Sequence, residues 1–284
     1  MPEPTQQSAQ AAATLRAGFA APLDGARIAA AAGVADVETV LRTGSTNTDL
    51  LGRVRVQAPI RPLLLAALEQ TQGRGRFGRA WHAVPGSALL FSLAIPLSGP
   101  RSIDGAVSLA CGLAAAEALA PLASLQLKWP NDLLLEGRKL GGVLCELALD
   151  GAGQRTLIAG IGINLWLAPE VQVTVEQPVA ALDELVAQEE LLAQRDVLIG
   201  RIAAAACALV GEFDAHGFAP LRAQFLARFA LLGREVEILE AKRPLAAGIA
   251  VDIDAAGRLL LRTDAGTRAF AGGEVSLRIA ARSA

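Results

Sequence analysis

Arg74, Arg76 and Arg79 fall within six residues among glycines, and Lys139 stands seven residues beyond Asp132. Cations at that density, on a backbone that glycine lets approach a ligand, suit oxyanions. A guanidinium grips phosphate or carboxylate in a fork, and an ammonium adds a point charge. Residues 73–78 also satisfy G-x-G-x-x-G. A dinucleotide turn must open a helix and meet an acid about 20 residues later. Here Pro85, Gly86 and an apolar run follow, and the first acid is Asp104, so that reading is set aside. A solvated basic loop and a polyanion-binding loop remain; three arginines beside Phe77 and Trp81 favour the second. An RNA-binding arginine-glycine tract would repeat in a disordered setting, and this one is single.

Lys128-Trp129-Pro130-Asn131-Asp132 closes an apolar run and displays an amide and a carboxylate at its tip, either for chemistry or as a local Asx turn. Lys139 lies on the return strand of the same hairpin and can converge on Asp132. Gly141-Gly142 beside it permits close approach of a ligand or backbone. Gly160-Ile161-Gly162-Ile163-Asn164 is a further glycine-interrupted strand ending in an amide, or a sheet bend.

These groups need strands to hold them. Continuous apolar runs at 63–68 and 88–95 read as buried strands, with further strands at 37–41, 125–129 and 157–165. Residues 133–135 and 140–147 form a hairpin turning at Gly137. Helices are expected at 23–34, after the turn cluster 43–49 with Thr46 or Asn47 as cap, at 105–120, and across 178–229. After Gly233 the pattern changes to short strands at 235–239, 245–253, 258–262 and 274–279, punctuated by turn residues, which predicts a small all-β barrel.

The chain has 284 residues, 52% apolar and 19% charged, enough for a large core. Twenty-six Lys and Arg against 28 Asp and Glu give a net charge of −2, so no global basic field attracts nucleic acid or an anionic membrane. Cys111, Cys145 and Cys207 are scattered and His82 and His216 stand alone, which argues against a disulfide framework or a zinc site. The first ten residues lack a secretory pattern, so a cytoplasmic location is expected. Residues 105–127 could span a bilayer by length, but Glu117 and Pro121 interrupt the run.

In order along the chain, Gly44-Ser45-Thr46-Asn47, Gln70 with residues 73–79 and Trp81, residues 128–132 with Lys139-Leu140-Gly141-Gly142, residues 160–164, and Gly272-Gly273-Glu274-Val275-Ser276-Leu277-Arg278 resemble the biotin protein ligase family. The resemblance runs from about residue 37 to residue 279. It implies an α+β fold: a mixed sheet with helices, related to class II aminoacyl-tRNA synthetases, plus a small C-terminal SH3-like β-barrel. Residues 1–22, rich in Ala, Gln, Pro and Thr with no apolar period, are expected to be a mobile segment, with 23–230 the catalytic domain and 231–284 the barrel.

The implied activity is ATP- and Mg2+-dependent conversion of biotin to biotinyl-5′-AMP, then transfer to one lysine of a biotin carboxyl carrier protein domain. By resemblance Ser45, Thr46, Asn47, Gln70, Arg74, Gly75, Arg76, Lys139 and Gly142 bind biotin. Arg74, Arg76, Arg79, Trp81, Asn131, Lys139 and Asn164 bind the nucleotide. Lys139, Arg76 and Asp132 are catalytic, and Asp132 also contacts magnesium. A homodimer fits the family. The alternatives are a lipoate or octanoyl ligase of the same superfamily and a biotin-responsive DNA-binding repressor. The loop at 73–79 and the 128–132 motif disfavour the first. Only 44 residues precede Ser45, which is expected to leave no room for the repressors' helix-turn-helix.

Overall fold

The computed structural model describes residues 16–33, 36–99, 103–175, 177–240, 243–272 and 275–279. Helix α1 (Gly25–Ala32) opens on Asp24, whose carboxylate accepts from the Ala26 and Arg27 amides. Strand β1 (Asp36–Thr43) then runs parallel to β2 (Leu63–Gln70), the crossover being helix α2 (Thr46–Val56). Strands β3 (Ala88–Pro96), β4 (Gln126–Lys128), β5 (Asp132–Leu135), β6 (Arg138–Leu149) and β7 (Arg155–Asn164) complete a mixed seven-stranded sheet in the order β1-β2-β3-β7-β6-β5-β4. Every contact after the first is antiparallel.

The continuous apolar strands are explained by burial on both faces. Leu64 and Ala66 point into the main core with helices α3 (Val107–Ala118) and α5 (Gln188–His216), the short helix α4 (Pro169–Thr174) lying between these two in sequence. Leu65, one residue out of phase, packs with Leu50 and Val54 of α2 and with Ala94 and Ile158. That alternation is the period of two a strand imposes. Glu136 (φ 49°) and Gly137 (φ 76°) turn β5 into β6, the two left-handed positions a tight hairpin turn requires.

Toward the C-terminus β8 (Glu235–Glu240), β9 (Arg243–Ile253), β10 (Leu259–Thr263), β11 (Gly266–Phe270) and β12 (Val275–Ile279) form an antiparallel sheet in the order β11-β10-β9-β8-β12. Its inner face buries Val236, Ile238, Ala250, Ile253, Leu259 and Leu261.

Three expectations are corrected. Packing begins before residue 23: Phe19 is wholly buried, and the buried Arg195 guanidinium donates to the carbonyls of Phe19, Ala21 and Pro22. Residues 1–15 lie outside the described residues. Helix does not begin at 178, because that backbone is already engaged. Lys139 N–H donates to Pro178 O and Ala180 N–H to Lys139 O, so α5 starts at Gln188 and only a 3-10 turn (Leu182–Glu184) precedes it. The N-cap of α2 is Ser45, not Thr46 or Asn47, whose side chains are committed across the sheet.

Candidate functional site

At the top of β1 the chain turns into α2 and sinks Ser45, Thr46 and Asn47 out of solvent. Buried polar groups need partners, and here they find each other. Gln70, opposite Thr43 at the end of β2, uses Oε1 to accept the Thr46 N–H at 2.8 Å and lies 3.2 Å from Thr46 Oγ1. Thr46 Oγ1 lies 2.6 Å from Ser92 Oγ, and Ser92 Oγ donates to Asn47 Oδ1 at 2.5 Å. Asn47 Nδ2 donates to Leu144 O at 3.2 Å and Glu146 Oε2 at 2.9 Å. A Cβ on Gly160 would stand 2.2 Å from Asn47 Oδ1, so that glycine makes room for the amide.

The segment between β2 and β3 closes on itself: Trp81 N–H donates to Gly73 O at 2.9 Å and Gly75 N–H to Arg79 O at 2.7 Å. Phe77 (φ 57°) and Gly78 (φ 69°) form its tip. The arginines leave in different directions. Arg74 reaches Glu146 Oε2 at 3.4 Å, beside Asn47. Arg76 donates to the carbonyls of Gly272 and Val275 in the C-terminal sheet, and its carbon lies 4.8 Å from the Phe77 ring centre. Burial lowers the Arg76 pKa, opposed by Asp132 and aided by Arg79. Arg79 is exposed, 5.9 Å from the same ring.

The β4–β5–β6 hairpins gather the other charges. Lys139 Nζ is 2.7 Å from Asp132 Oδ1 and Lys128 Nζ 4.0 Å from Asp132 Oδ2, with side-chain exposures of 19% for each lysine and 16% for the aspartate. Desolvation lowers the Lys128 pKa; Asp132 opposes the shift, and Lys139 and Arg79 add to it. Gly142 pairs with Asp132 and lies beside the Asp132 and Lys139 side chains. Trp81 packs against Gly162, where a Cβ would come within 2.9 Å of its ring. Lys139 Nζ lies 5.8 Å from the Trp81 ring centre, close enough for cation–π attraction. The loop therefore touches both halves of the site, through Arg74 at Asn47 and through Trp81 at Lys139.

Asn131 and Asn164 serve the scaffold in this arrangement. Asn131 Nδ2 donates to Val143 O at 2.8 Å across the hairpin, not to a local Asx turn. Asn164 Nδ2 donates to Ala180 O at 2.9 Å. Sequence reasoning missed Ser92 and Glu146. Ser92 is the one hydroxyl inside the apolar run 88–95, and a lone polar side chain in a doubly buried strand signals a buried partner. Glu146 carried no such signal. Among the described residues no group of three or more His, Cys, Asp and Glu side chains is placed to hold a metal ion. Asp132 alone, already facing two ammonium groups, cannot retain magnesium by itself. A single carboxylate suits an ion brought in on substrate phosphates.

A family model described as the biotin/lipoate A/B protein ligase family matches residues 40–164, and one described as the biotin protein ligase C terminal domain matches residues 231–278. The chain is 34% identical to the biotin–[acetyl-CoA-carboxylase] ligase of Mycobacterium tuberculosis, covering 87% of this chain and 91% of that protein. It is 35% identical to the ligase of the same name from Paracoccus denitrificans, covering 82% and 97%. Among solved structures, the biotin protein ligase of Aquifex aeolicus in complex with biotin and ATP superposes with a TM-score of 0.66 at 27% identity, over 86% of this chain and 99% of that one.

Proposed function

The chain belongs to the biotin/lipoate A/B protein ligase family, and from that premise we propose how its own residues carry the reaction. The activity is that of a biotin protein ligase: biotin and ATP give biotinyl-5′-AMP and pyrophosphate, and the biotinyl group passes to a lysine of a carboxylase's carrier protein.

Ser45, Thr46, Asn47 and Gln70 bind the neutral ureido ring, which hydroxyls and amides recognise without a charge penalty. In the first step a biotin carboxylate oxygen bonds to the α-phosphorus and the bond to pyrophosphate breaks. Two anions must meet, so fixed cations offset their repulsion and the charge developing between them. Lys139 stands at that junction, with Gly142 beside it, while Arg74, Gly75 and Arg76 line the approach and Arg79 and Trp81 flank the nucleotide. Asn131 and Asn164 hold the strand ends that shape the nucleotide side. In the second step the carrier lysine attacks the acyl carbon and AMP leaves. That amine, with an ordinary pKa near 10.4, arrives mostly protonated, and Asp132 takes its proton. Magnesium, when bound, neutralises phosphate charge, and Asp132 is the carboxylate that would touch it.

The observation that carries this assignment is the loop of residues 73–81. It joins a neutral hydrogen-bonding pocket to a paired-cation cluster, the two chemistries that a carboxylate carrying a polar ring and a nucleotide require. Cytoplasmic work suits the ATP requirement, and no helix among the described residues is long and apolar enough to cross a membrane. A net charge of −2 supports a role without nucleic acid.

The test is mass spectrometry of the chain after incubation with biotin and MgATP. Retained biotinyl-AMP and biotin-dependent ATP/pyrophosphate exchange are expected. Exchange driven by lipoate or octanoate and not by biotin would overturn the assignment.

A further inference from the structure

Gln70, Thr46, Ser92, Asn47 and Glu146 form one unbroken polar run beneath the ring-binding groups. The direction of every proton in it follows from one end. A carboxylate and a backbone carbonyl only accept, and Asn47 Nδ2 faces one of each, Glu146 Oε2 and Leu144 O. Asn47 Oδ1 therefore faces Ser92, and the Ser92 hydroxyl spends its single proton on it. Ser92 can then only accept from Thr46, across 2.6 Å. Thr46 has no proton left, and its longer contact with Gln70 Oε1 is a minor branch of the same donation. Gln70 Oε1 is filled by the Thr46 N–H, which leaves the Gln70 Nε2 hydrogens as its remaining capacity.

We propose that Ser92 and Glu146 are specificity-determining positioning residues that fix the donor and acceptor pattern of the pocket. Thr46 Oγ1 presents a lone pair and Gln70 Nε2 presents hydrogens. The ligand edge that answers this pattern carries an N–H beside a C=O, as a cyclic urea does. The inference rests on the biotin assignment and deepens it. Ser92 is 0% exposed and reaches the ring-binding groups through its hydrogen bonds to Thr46 and Asn47. Replacing it leaves the reacting centre unaltered while freeing the Asn47 amide to turn over.

The experiment measures KM for biotin and for ATP, with calorimetric Kd values for biotin and for 2-iminobiotin, whose ring carbonyl is replaced by an imine. Ser92→Ala is expected to raise KM for biotin about tenfold, the scale of one buried hydrogen bond with an orphaned partner, with KM for ATP unmoved. Glu146→Gln supplies a group that both donates and accepts. It is expected to raise the biotin KM by about threefold or more and to narrow the discrimination between biotin and 2-iminobiotin. Should Ser92→Ala fail to fold, the half-buried Glu146→Gln still reads the discrimination ratio. Variants that keep the parent's biotin KM and ratio overturn the inference. A parallel rise in both KM values also overturns it, because it marks general loosening. Failure of the parent itself to bind biotin would instead bring down the functional assignment.

Discussion

Around Ser92 and Asn47 the hydrogen-bonding atoms are partnered and buried, and the run from Gln70 to Glu146 is complete before any ligand arrives. Around Asp132 the arrangement is looser: two lysines share one carboxylate, both partly exposed, and the nearby arginines hold backbone carbonyls or lie over Phe77. The difference follows from what each region must recognise. A neutral ring offers only hydrogen bonds, whose net value of about 1 kcal/mol each depends on preorganisation. An anion offers charge, so its site needs cations kept neutralised until the ligand replaces their partner. Substitutions in the charged region should therefore cut rate and retention, and those in the neutral region should cut affinity.

Lys139→Ala is the hardest test of that division. It removes the ammonium at the junction of carboxylate and phosphate, and biotin-dependent ATP/pyrophosphate exchange should fall about a hundredfold or more. The side chain is partly exposed on a hairpin, so the circular dichroism spectrum should match the parent's. Unchanged exchange would dissolve the distinction between the two regions.

Asp132→Asn should slow biotin transfer to the carrier on the order of a hundredfold, the range for losing a general base. It also sharpens the comparison through pH. Burial already lowers the Lys128 pKa and Asp132 holds it up. Without that charge the pKa drops further, and the ammonium loses its proton at a lower pH than in the parent. The alkaline limb of the adenylation rate should accordingly move to lower pH. A limb that stays in place would mean that Lys128 is not part of the site's charge balance.

The contrast also explains which parts the sequence made legible. The runs at 63–68 and 88–95 are apolar because they are buried on both faces, so their strands could be read directly. So could the Glu136-Gly137 turn, which needs two left-handed residues. Strand β11 could not: only Phe270 of its five residues is buried, so no alternation marks it. The apolar stretch after Pro178 reads as helix until Lys139, about 40 residues earlier, captures its backbone. The arginine loop and the lysine–aspartate hairpin stood out because their cations are closely spaced among glycines. Glu146 did not, because its role is set by Asn47, some hundred residues away.

Arg76→Gly tests retention in place of rate. Arg76 ties the loop to the Gly272 and Val275 carbonyls and stands close enough to Asp132 for the two charges to interact. Without it the loop loses both an anion contact and its link to the C-terminal sheet. Biotinyl-AMP should escape several times faster, read as labelling of bystander lysines by released adenylate. Equal retention by variant and parent would show that the loop's backbone alone holds the intermediate.

Arg79→Ala should have the smallest effect, and for an informative reason. Arg79 is exposed, and a charge in water contributes little to binding. It also repels its neighbours, adding to the lowered pKa of both Arg76 and Lys128. Removing it withdraws one distant cation from the phosphates and relieves two nearer ones, so the effects partly cancel. KM for ATP should rise no more than about threefold at low salt, and the difference should fade near 0.5 M salt as screening shortens the reach of exposed charges. A large, salt-insensitive loss would place Arg79 in direct contact with the nucleotide and move it from the rim of the charged region to its centre.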